Sequence, residues 1–382
     1  MKEKRKICII ASAPGSIVSF WKTNIEKISQ YFDVYIVANF NDPDVFNDIN
    51  IKGCKSINIQ RRPTIWSSLK AIRELVIYFN EQNFDGFVSM SSNASLVSSI
   101  AGKIAKIPFR ARIFTGQIWA IRGGLFKLFF KTIDRITVAL NTHILVDGRS
   151  QQEFLVKNGV LKNMQSTVLA NGSICGVDIE KFCPNQQIRI DERKKLGFTE
   201  EDVVFTFMGR INRDKGTYEL LEAFNRLTKQ YMNAKLLFIG NKEGVDESAF
   251  EKFDNIKYNS NLIFYGYTKT PFFALQAGDV FCLPSYREGF GMSVIEAAAL
   301  SMPVIASDAY GLRDSFVDGE TGKKCKVMDV DSLYEAMEYF YKNPEDRILY
   351  GKSGRTRVVN LFSKELVSKC WAEYLNNNIK NE

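Results

Sequence analysis

Two doubly wound α/β domains facing a central cleft are the fold this sequence predicts, and three observations carry the prediction. Short apolar runs alternate with longer amphipathic stretches along the whole chain, the mark of β-α repetition around parallel sheets. The rhythm lapses once, after Asn171, in SICGVDIEKFCPNQQ, a segment with Gly-containing turns and a proline. A chain of 382 residues, 45% hydrophobic and 25% charged, supplies two cores and is too balanced for disorder, collagen or a coiled coil.

In chain order, residues 7–11 form the first buried strand, with Pro14-Gly15 as its closing tight turn. Strands follow at 34–38, 86–90, 111–114 and 143–146, with helices between them. Ser150 and Glu153 have capping-box spacing, which predicts a helix through Phe154 toward Asn158-Gly159. Beyond the lapse, DERKKLGF is helical, and strands recur at 203–208, 235–239, 262–265, 280–284 and 304–306. The domain boundary falls near residue 180, giving 1–180 and 181–361. No short internal repeat and no low-complexity segment interrupts the pattern.

Composition narrows the function. The seven cysteines are scattered without a C-x-x-C pair and His143 is the single histidine, so no zinc framework is available and a reducing cytoplasm is the expected setting. The start, MKEKRKICIIASAPG, imitates a signal peptide, but its short apolar run fits a first strand better. No run of 18 uncharged apolar residues predicts a membrane span. Residues 1–170 carry 23 Lys+Arg against 12 Asp+Glu, whereas 171–382 carry 28 against 31. The basic half suits an anionic membrane, a phosphorylated substrate or nucleic acid; no aromatic-basic module for nucleic acid is present. A nicotinamide dehydrogenase is disfavoured because Ala11-Ser12-Ala13-Pro14-Gly15 lacks G-x-G-x-x-G.

Ligands of open α/β sheets gather at the carboxyl ends of strands. The strand at 203–208 delivers Gly209-Arg210, and Lys215-Gly216 follow at a helix entrance: two cations flanked by glycines, a place for a diphosphate. The plainer alternative pairs Arg210 and Lys215 with Asp214 or Glu219 on the surface. The strand at 280–283 runs into P-S-Y-R-E-G-F-G-M-S-V-I-E. There the amides of Phe290, Gly291 and Met292 can meet an anion at a helix start, and Glu296 lies one turn on, within reach of ribose hydroxyls.

G-R-I-N-R-D-K-G, E-G-F-G-M-S-V-I-E and S-M-P-V-I-A-S-D, with N-G and V-D-I-E-K-F-C-P before them, resemble the retaining glycosyltransferases of family 4. The likeness is strong from Asn171 to Gly322 and weaker before. It implies the GT-B fold, with a nucleotide sugar on the C-terminal domain, an acceptor on the N-terminal one, and last helices, about 362–382, crossing back to the first domain. By the same resemblance Arg210 and Lys215 clamp the donor diphosphate and Glu296 holds the ribose. Glu288 meets the sugar with the Phe290 and Gly291 amides, and Tyr267 lines the base. Gly15, Gly209, Met292 and Ser293 complete the donor-binding set. The activity so implied is metal-independent transfer, without a cofactor, of a hexosyl or N-acetylhexosaminyl group. The donor is a nucleoside-diphosphate sugar, UDP favoured, and the acceptor a glycan or polyprenyl-diphosphate-linked oligosaccharide of bacterial surface polysaccharide.

One departure marks the first half. Where the family usually places a histidine, this chain has Thr115-Gly116-Gln117, and Gln117 can hydrogen-bond a sugar but not carry a proton. That motivates an alternative, a non-catalytic sugar-nucleotide or lipid-binding partner of a glycosyltransferase complex. His143 opens its strand at the edge away from the cleft and reads as packing. Of the D-x-D triplets, Asp42 sits in a loop, and the second reads as a helix start capped by Asp331 or Ser332. Lys127, Lys131 and Arg135 recur at i, i+4 and i+8 beside Phe126, Phe129, Phe130 and Ile133. Such a helix either lies on an anionic membrane or covers the sheet with its lysines in water. The basic half favours the membrane, at the inner face of the plasma membrane, and Arg61-Arg62-Pro63 with Trp66 would belong to the same surface.

Overall fold

The computed structural model describes residues 4–61, 64–245 and 261–380. By its internal contacts the chain divides into two units: Met1–Gly176 together with Lys364–Glu382, and Val177–Ser363.

In the first unit the central strand β1 (Arg5–Ile10) shows the pattern that builds the sheet. Ile7 and Ile9 enter the core on one face, Cys8 and Ile10 that on the other, the period of two expected of a strand covered on both sides. Around it lie β2 (Phe32–Ala38), β3 (Gly53–Ser56), β4 (Gly86–Ser89), β5 (Phe109–Phe114), β6 (His143–Val146) and β7 (Thr167–Val168), all parallel, in the order β3-β2-β1-β4-β5-β6-β7. Ile7 registers with Val34 on one side and Gly86 on the other. On one face the helix Lys22–Ile28 packs against the final helix, Lys364–Asn378, with the Trp21 and Trp371 rings 4.8 Å apart. Trp371 Nε1 and Asn24 Nδ2 both donate to the Ile174 carbonyl, at 2.9 and 3.0 Å. Truncating either tryptophan would cost about 3–5 kcal/mol. On the other face the helices Ile65–Gln82 and Ser92–Ile104 bury Leu75, Phe79 and Val97.

The second unit holds β8 (Val203–Met208), β9 (Ala234–Ile239), β10 (Leu262–Gly266), β11 (Val280–Leu283), β12 (Val304–Ser307) and β13 (Gly322–Cys325), in the order β10-β9-β8-β11-β12-β13. In both sheets the strand order reverses beside the first strand. The switch points therefore fall between β1 and β4 and between β8 and β11, where the chain ends of neighbouring strands diverge and leave room for a ligand. Opposite that edge, Asp279 ahead of β11 accepts from Arg189 at 2.5 Å and from the buried Arg193 at 3.2 Å, which ties the helix Gln186–Leu196 down.

Several elements differ from the sequence reading. β3, β7 and β13 carry no apolar run, because each is a short edge strand with one neighbour. Pro14-Gly15 is not a turn: Pro14 opens the helix Pro14–Phe20, a position where its missing N–H costs nothing. Ser150 is not a cap, since the helix Arg149–Lys157 is entered from Gly148 and Ser150 lies within it. The helix Val330–Lys342 is capped by Asp329, which accepts from Ser332 N–H at 2.8 Å, rather than by Asp331 or Ser332. Asp42 likewise accepts from Asp44 N–H at 2.9 Å, so both D-x-D triplets cap backbone.

Candidate functional site

Two loops leave the carboxyl ends of β8 and β11 at the switch point of the second unit. The β8 loop passes Gly209 and Arg210, then turns through Arg213–Lys215, where the Asn212 side chain accepts from Lys215 N–H at 3.2 Å. Gly216 follows at φ +70°, and a Cβ there would lie 2.1 Å from the Pro284 carbonyl oxygen. Only glycine lets the β8 loop rest against the exit of β11 and start the helix Thr217–Thr228 in that place.

Charges alternate across the two loops. Asp214 accepts from Arg287 at 2.8 Å, and Lys215 donates to the Glu288 carboxylate. Tyr286 N–H meets the Asp214 carbonyl at 2.8 Å, and Tyr286 Oη donates to Glu219 at 2.5 Å. The plainer pairing of Lys215 with Asp214 or Glu219 is thus not what forms. Both members of the Lys215–Glu288 pair are mostly covered, 19% and 14% exposed, so each cation or anion needs its partner or a substitute. Arg210, 56% exposed, pairs with Glu243 at 3.1 Å and is free to turn toward an anion at little cost.

Beyond Glu288 the chain passes Gly291 at φ +85° into the helix Met292–Ala299, with Val294 N–H returning to the Gly291 carbonyl at 3.0 Å. Met292 and Ser293 form the first turn of this helix, the end at which the aligned peptide dipoles present positive charge to an anion. The Phe290 ring is core, packed edge-on against Phe362 at 5.3 Å, so only the backbone of Phe290 is available to a ligand. Glu296, on the same helix, has no hydrogen-bond or ion-pair partner among the described residues, and burial pushes its carboxyl up to about 7. Tyr267, just past Gly266 at the end of β10, is 67% exposed and offers a free ring.

Other sequence-selected residues lie in the first unit. Gly15 is in the first turn of the helix Pro14–Phe20, exposed, with open space around it. Gln117 is 4% exposed and donates to the Thr115 carbonyl, so its amide is turned onto its own loop. The His143 ring packs on Phe109 at 4.4 Å, and burial pushes its pKa down. The helix Gly124–Leu140 presents a different face from the one its cations suggest. Lys127 and Lys131 lie partly covered over the Trp119 ring, at 5.9 and 5.8 Å, while Leu125, Leu128 and Phe129 point to solvent. Asp134 on its inner side accepts from Arg112 at 2.5 Å and Trp119 Nε1 at 2.7 Å, which turns the helix that way. Trp66 is exposed in the first turn of the helix Ile65–Gln82, whereas Arg62 and Pro63 lie outside the described residues. Sequence reasoning missed the Asp214–Arg287 and Tyr286–Glu219 contacts, since their spacing along the chain carries no local signal.

Comparison with known proteins agrees with this geometry. Residues 188–357 match the family of glycosyl transferases group 1. The capsular polysaccharide biosynthesis glycosyltransferase CapM of Staphylococcus aureus is 29% identical over 89% of this chain and 88% of its own. The UDP-Gal:alpha-D-GlcNAc-diphosphoundecaprenol alpha-1,3-galactosyltransferase of Escherichia coli is 22% identical over 88% and 86%. Among solved structures, Anabaena Alr3699/HepE in complex with UDP and glucose superposes with a TM-score of 0.80 at 16% identity, covering 97% of this chain and 99% of that one. The match to glycosyl transferases group 1 falls on the unit that carries the β8 and β11 exits, and over its whole length the chain has the GT-B fold, two doubly wound sheets like those of the solved neighbours.

Proposed function

We propose that the protein moves a hexosyl or N-acetylhexosaminyl group, with retention and without a metal, from a nucleoside-diphosphate sugar to a lipid-linked glycan in surface-polysaccharide biosynthesis. The observation that carries the reading is the convergence on one switch point of the covered Lys215–Glu288 pair, the exposed Arg210 paired with Glu243, and the unpartnered Glu296. Cleaving the glycosidic bond leaves negative charge on the departing diphosphate, and preorganised cations stabilise that charge. Lys215 exchanges Glu288 for the diphosphate, Arg210 swings from Glu243, and the released Glu288 turns to the sugar with the Phe290 and Gly291 amides. Glu296 accepts from ribose hydroxyls, Tyr267 flanks the base, and Gly209, Met292 and Ser293 supply backbone. Gly15 and Gln117 act on the first unit, Gln117 by turning its amide toward the sugar. The acceptor hydroxyl attacks from the leaving-group face, and the departing phosphate takes its proton.

UDP is the favoured nucleotide of the donor, a choice supported by the UDP in the Anabaena neighbour and the UDP-Gal donor of the Escherichia coli relative. The latter's diphosphoundecaprenol acceptor and the capsular role of CapM support a lipid-linked glycan. No described helix is long and apolar enough to cross a membrane. The helix Gly124–Leu140 instead provides a peripheral contact, with Leu125, Leu128 and Phe129 entering the headgroup layer, the exposed Arg135 meeting anionic lipid on the cytoplasmic side, and the half-covered Lys127 and Lys131 turning from Trp119 to join it. Nucleotide release measured across UDP-, GDP- and ADP-sugars, with polyprenyl-diphosphate acceptors and with EDTA, tests the reading. Turnover with no donor in the panel contradicts transfer, and loss of turnover in EDTA contradicts the metal-free route.

A further inference from the structure

Covered or half-buried carboxylates among the described residues are, with few exceptions, spoken for. Asp134 takes Arg112 and Trp119, Asp202 takes Thr199 N–H at 2.7 Å with Lys235 at 3.7 Å, and Asp279 takes two arginines. Asp147 differs. It follows β6 at the carboxyl end of the first sheet and is 7% exposed, yet its carboxylate has no hydrogen-bond or ion-pair partner among the described residues. Burial alone pushes its pKa up to about 7.

The backbone at Asp147 is held on both sides. Its N–H donates to Gln151 Oε1 at 2.8 Å, and its carbonyl accepts from Ser173 N–H at 2.7 Å. Gln151, fully buried, donates through Nε2 to the Thr115 carbonyl at 2.8 Å, the same oxygen that Gln117 reaches. One side chain therefore clips the exit of β6 to the exit of β5, in register at Phe114 and Val146. Asp147 does no capping either, because the helix Arg149–Lys157 is capped at Gly148 without a side-chain bond. A rigidly mounted, desolvated carboxylate with nothing to bind costs stability and is held ready for a hydrogen-bond donor.

We propose that Asp147, beside the Thr115–Gln117 loop, is a sugar-hydroxyl site on the first unit that binds and orients the acceptor. The chemical class is a neutral polyol: a hydroxyl donates to the carboxylate, and the neighbouring amide loop shapes the rest. This rests on the transferase reading for its role as acceptor site, but sugar binding is measurable without turnover. Saturation-transfer NMR with methyl hexopyranosides and methyl N-acetylhexosaminides, on wild type and Asp147→Asn, is the direct experiment, run with UDP calorimetry and thermal melts. The expected result is binding of at least one glycoside by wild type, at least tenfold weaker binding by the variant, unchanged UDP affinity, and a melting temperature equal or higher. Equal glycoside binding by both proteins overturns the proposal, as does wild type that binds none of the panel. A lower melting temperature in Asp147→Asn also overturns it, since that would reveal a structural bond. Glycoside binding lost in the variant, in a protein that turns over no nucleotide sugar, keeps the site and removes the transferase mechanism instead.

Discussion

Replacing Glu296 by Gln should make the empty protein more stable and the nucleotide complex weaker. The side chain is without a partner, and its carboxyl is raised from 4.5 to about 7 by burial. A raised carboxyl pKa means that the ionised form is disfavoured in the folded state. The penalty is absent below about pH 4.5, grows as pH rises, and is complete above about 7. The rise from 4.5 to about 7, at about 1.4 kcal/mol per pH unit, gives an upper figure of about 3 to 4 kcal/mol at pH 8. Partial access of the side chain to water lowers that, so a gain of a few degrees in melting temperature at pH 8 is expected, with no gain at pH 4. UDP affinity should fall by about 10- to 100-fold, the usual cost of removing a charged acceptor from a hydroxyl donor. Thermal melts of both proteins at pH 4 and 8, with calorimetry at pH 8, read both effects. A variant no more stable at pH 8 than wild type, or one that binds UDP equally well, refutes the argument.

Arg210→Ala and Lys215→Ala should each lower turnover by about a hundredfold. Only Lys215→Ala should also lower the melting temperature, because it strands the covered Glu288 whereas Arg210 leaves an exposed pair; equal melting temperatures would contradict this. Arg287→Asp should lower turnover at least tenfold by repelling Asp214, and Asp214→Arg/Arg287→Asp should recover most of it if the pair holds the two loops in place; a swap no better than the single variant would argue against that role. Vesicle co-sedimentation should show Leu125→Ser/Phe129→Ser losing about a hundredfold at any salt concentration. Replacing Lys127, Lys131 and Arg135 by Gln should lose a similar factor at low salt only, and wild type that ignores anionic vesicles removes the membrane reading.

The central strands were legible because both of their faces are covered, so β1, β8 and β11 appear as apolar runs, β8 closed by Gly209 and β11 by Pro284. The edge strands β3, β7 and β13 were not, since one neighbour demands little apolar surface. The residues proposed to bind the donor could be selected because they follow strand ends within one unit, but their partners could not. Lys215 meets Glu288 across 73 positions of chain, and the choice of Glu288 over the adjacent Asp214 depends on how Gly216 seats one loop on the other. The helix Gly124–Leu140 misled for a similar reason. Its cations have the spacing of a solvated stripe, yet Trp119 and the Arg112–Asp134 pair, all outside or inward of that stripe, draw Lys127 and Lys131 toward the protein and leave Phe129 outside.

The most direct test of the proposed donor site is the distance from Lys215 Nζ to the diphosphate in a crystal structure of the protein with a bound UDP-sugar. The account predicts hydrogen-bond distance from both Lys215 Nζ and the Arg210 guanidinium to diphosphate oxygens, with Glu288 released and Glu296 on the ribose. A bound UDP-sugar that leaves the Lys215–Glu288 pair intact, or that lies at the opposite edge of the sheet near Asp279, would contradict it.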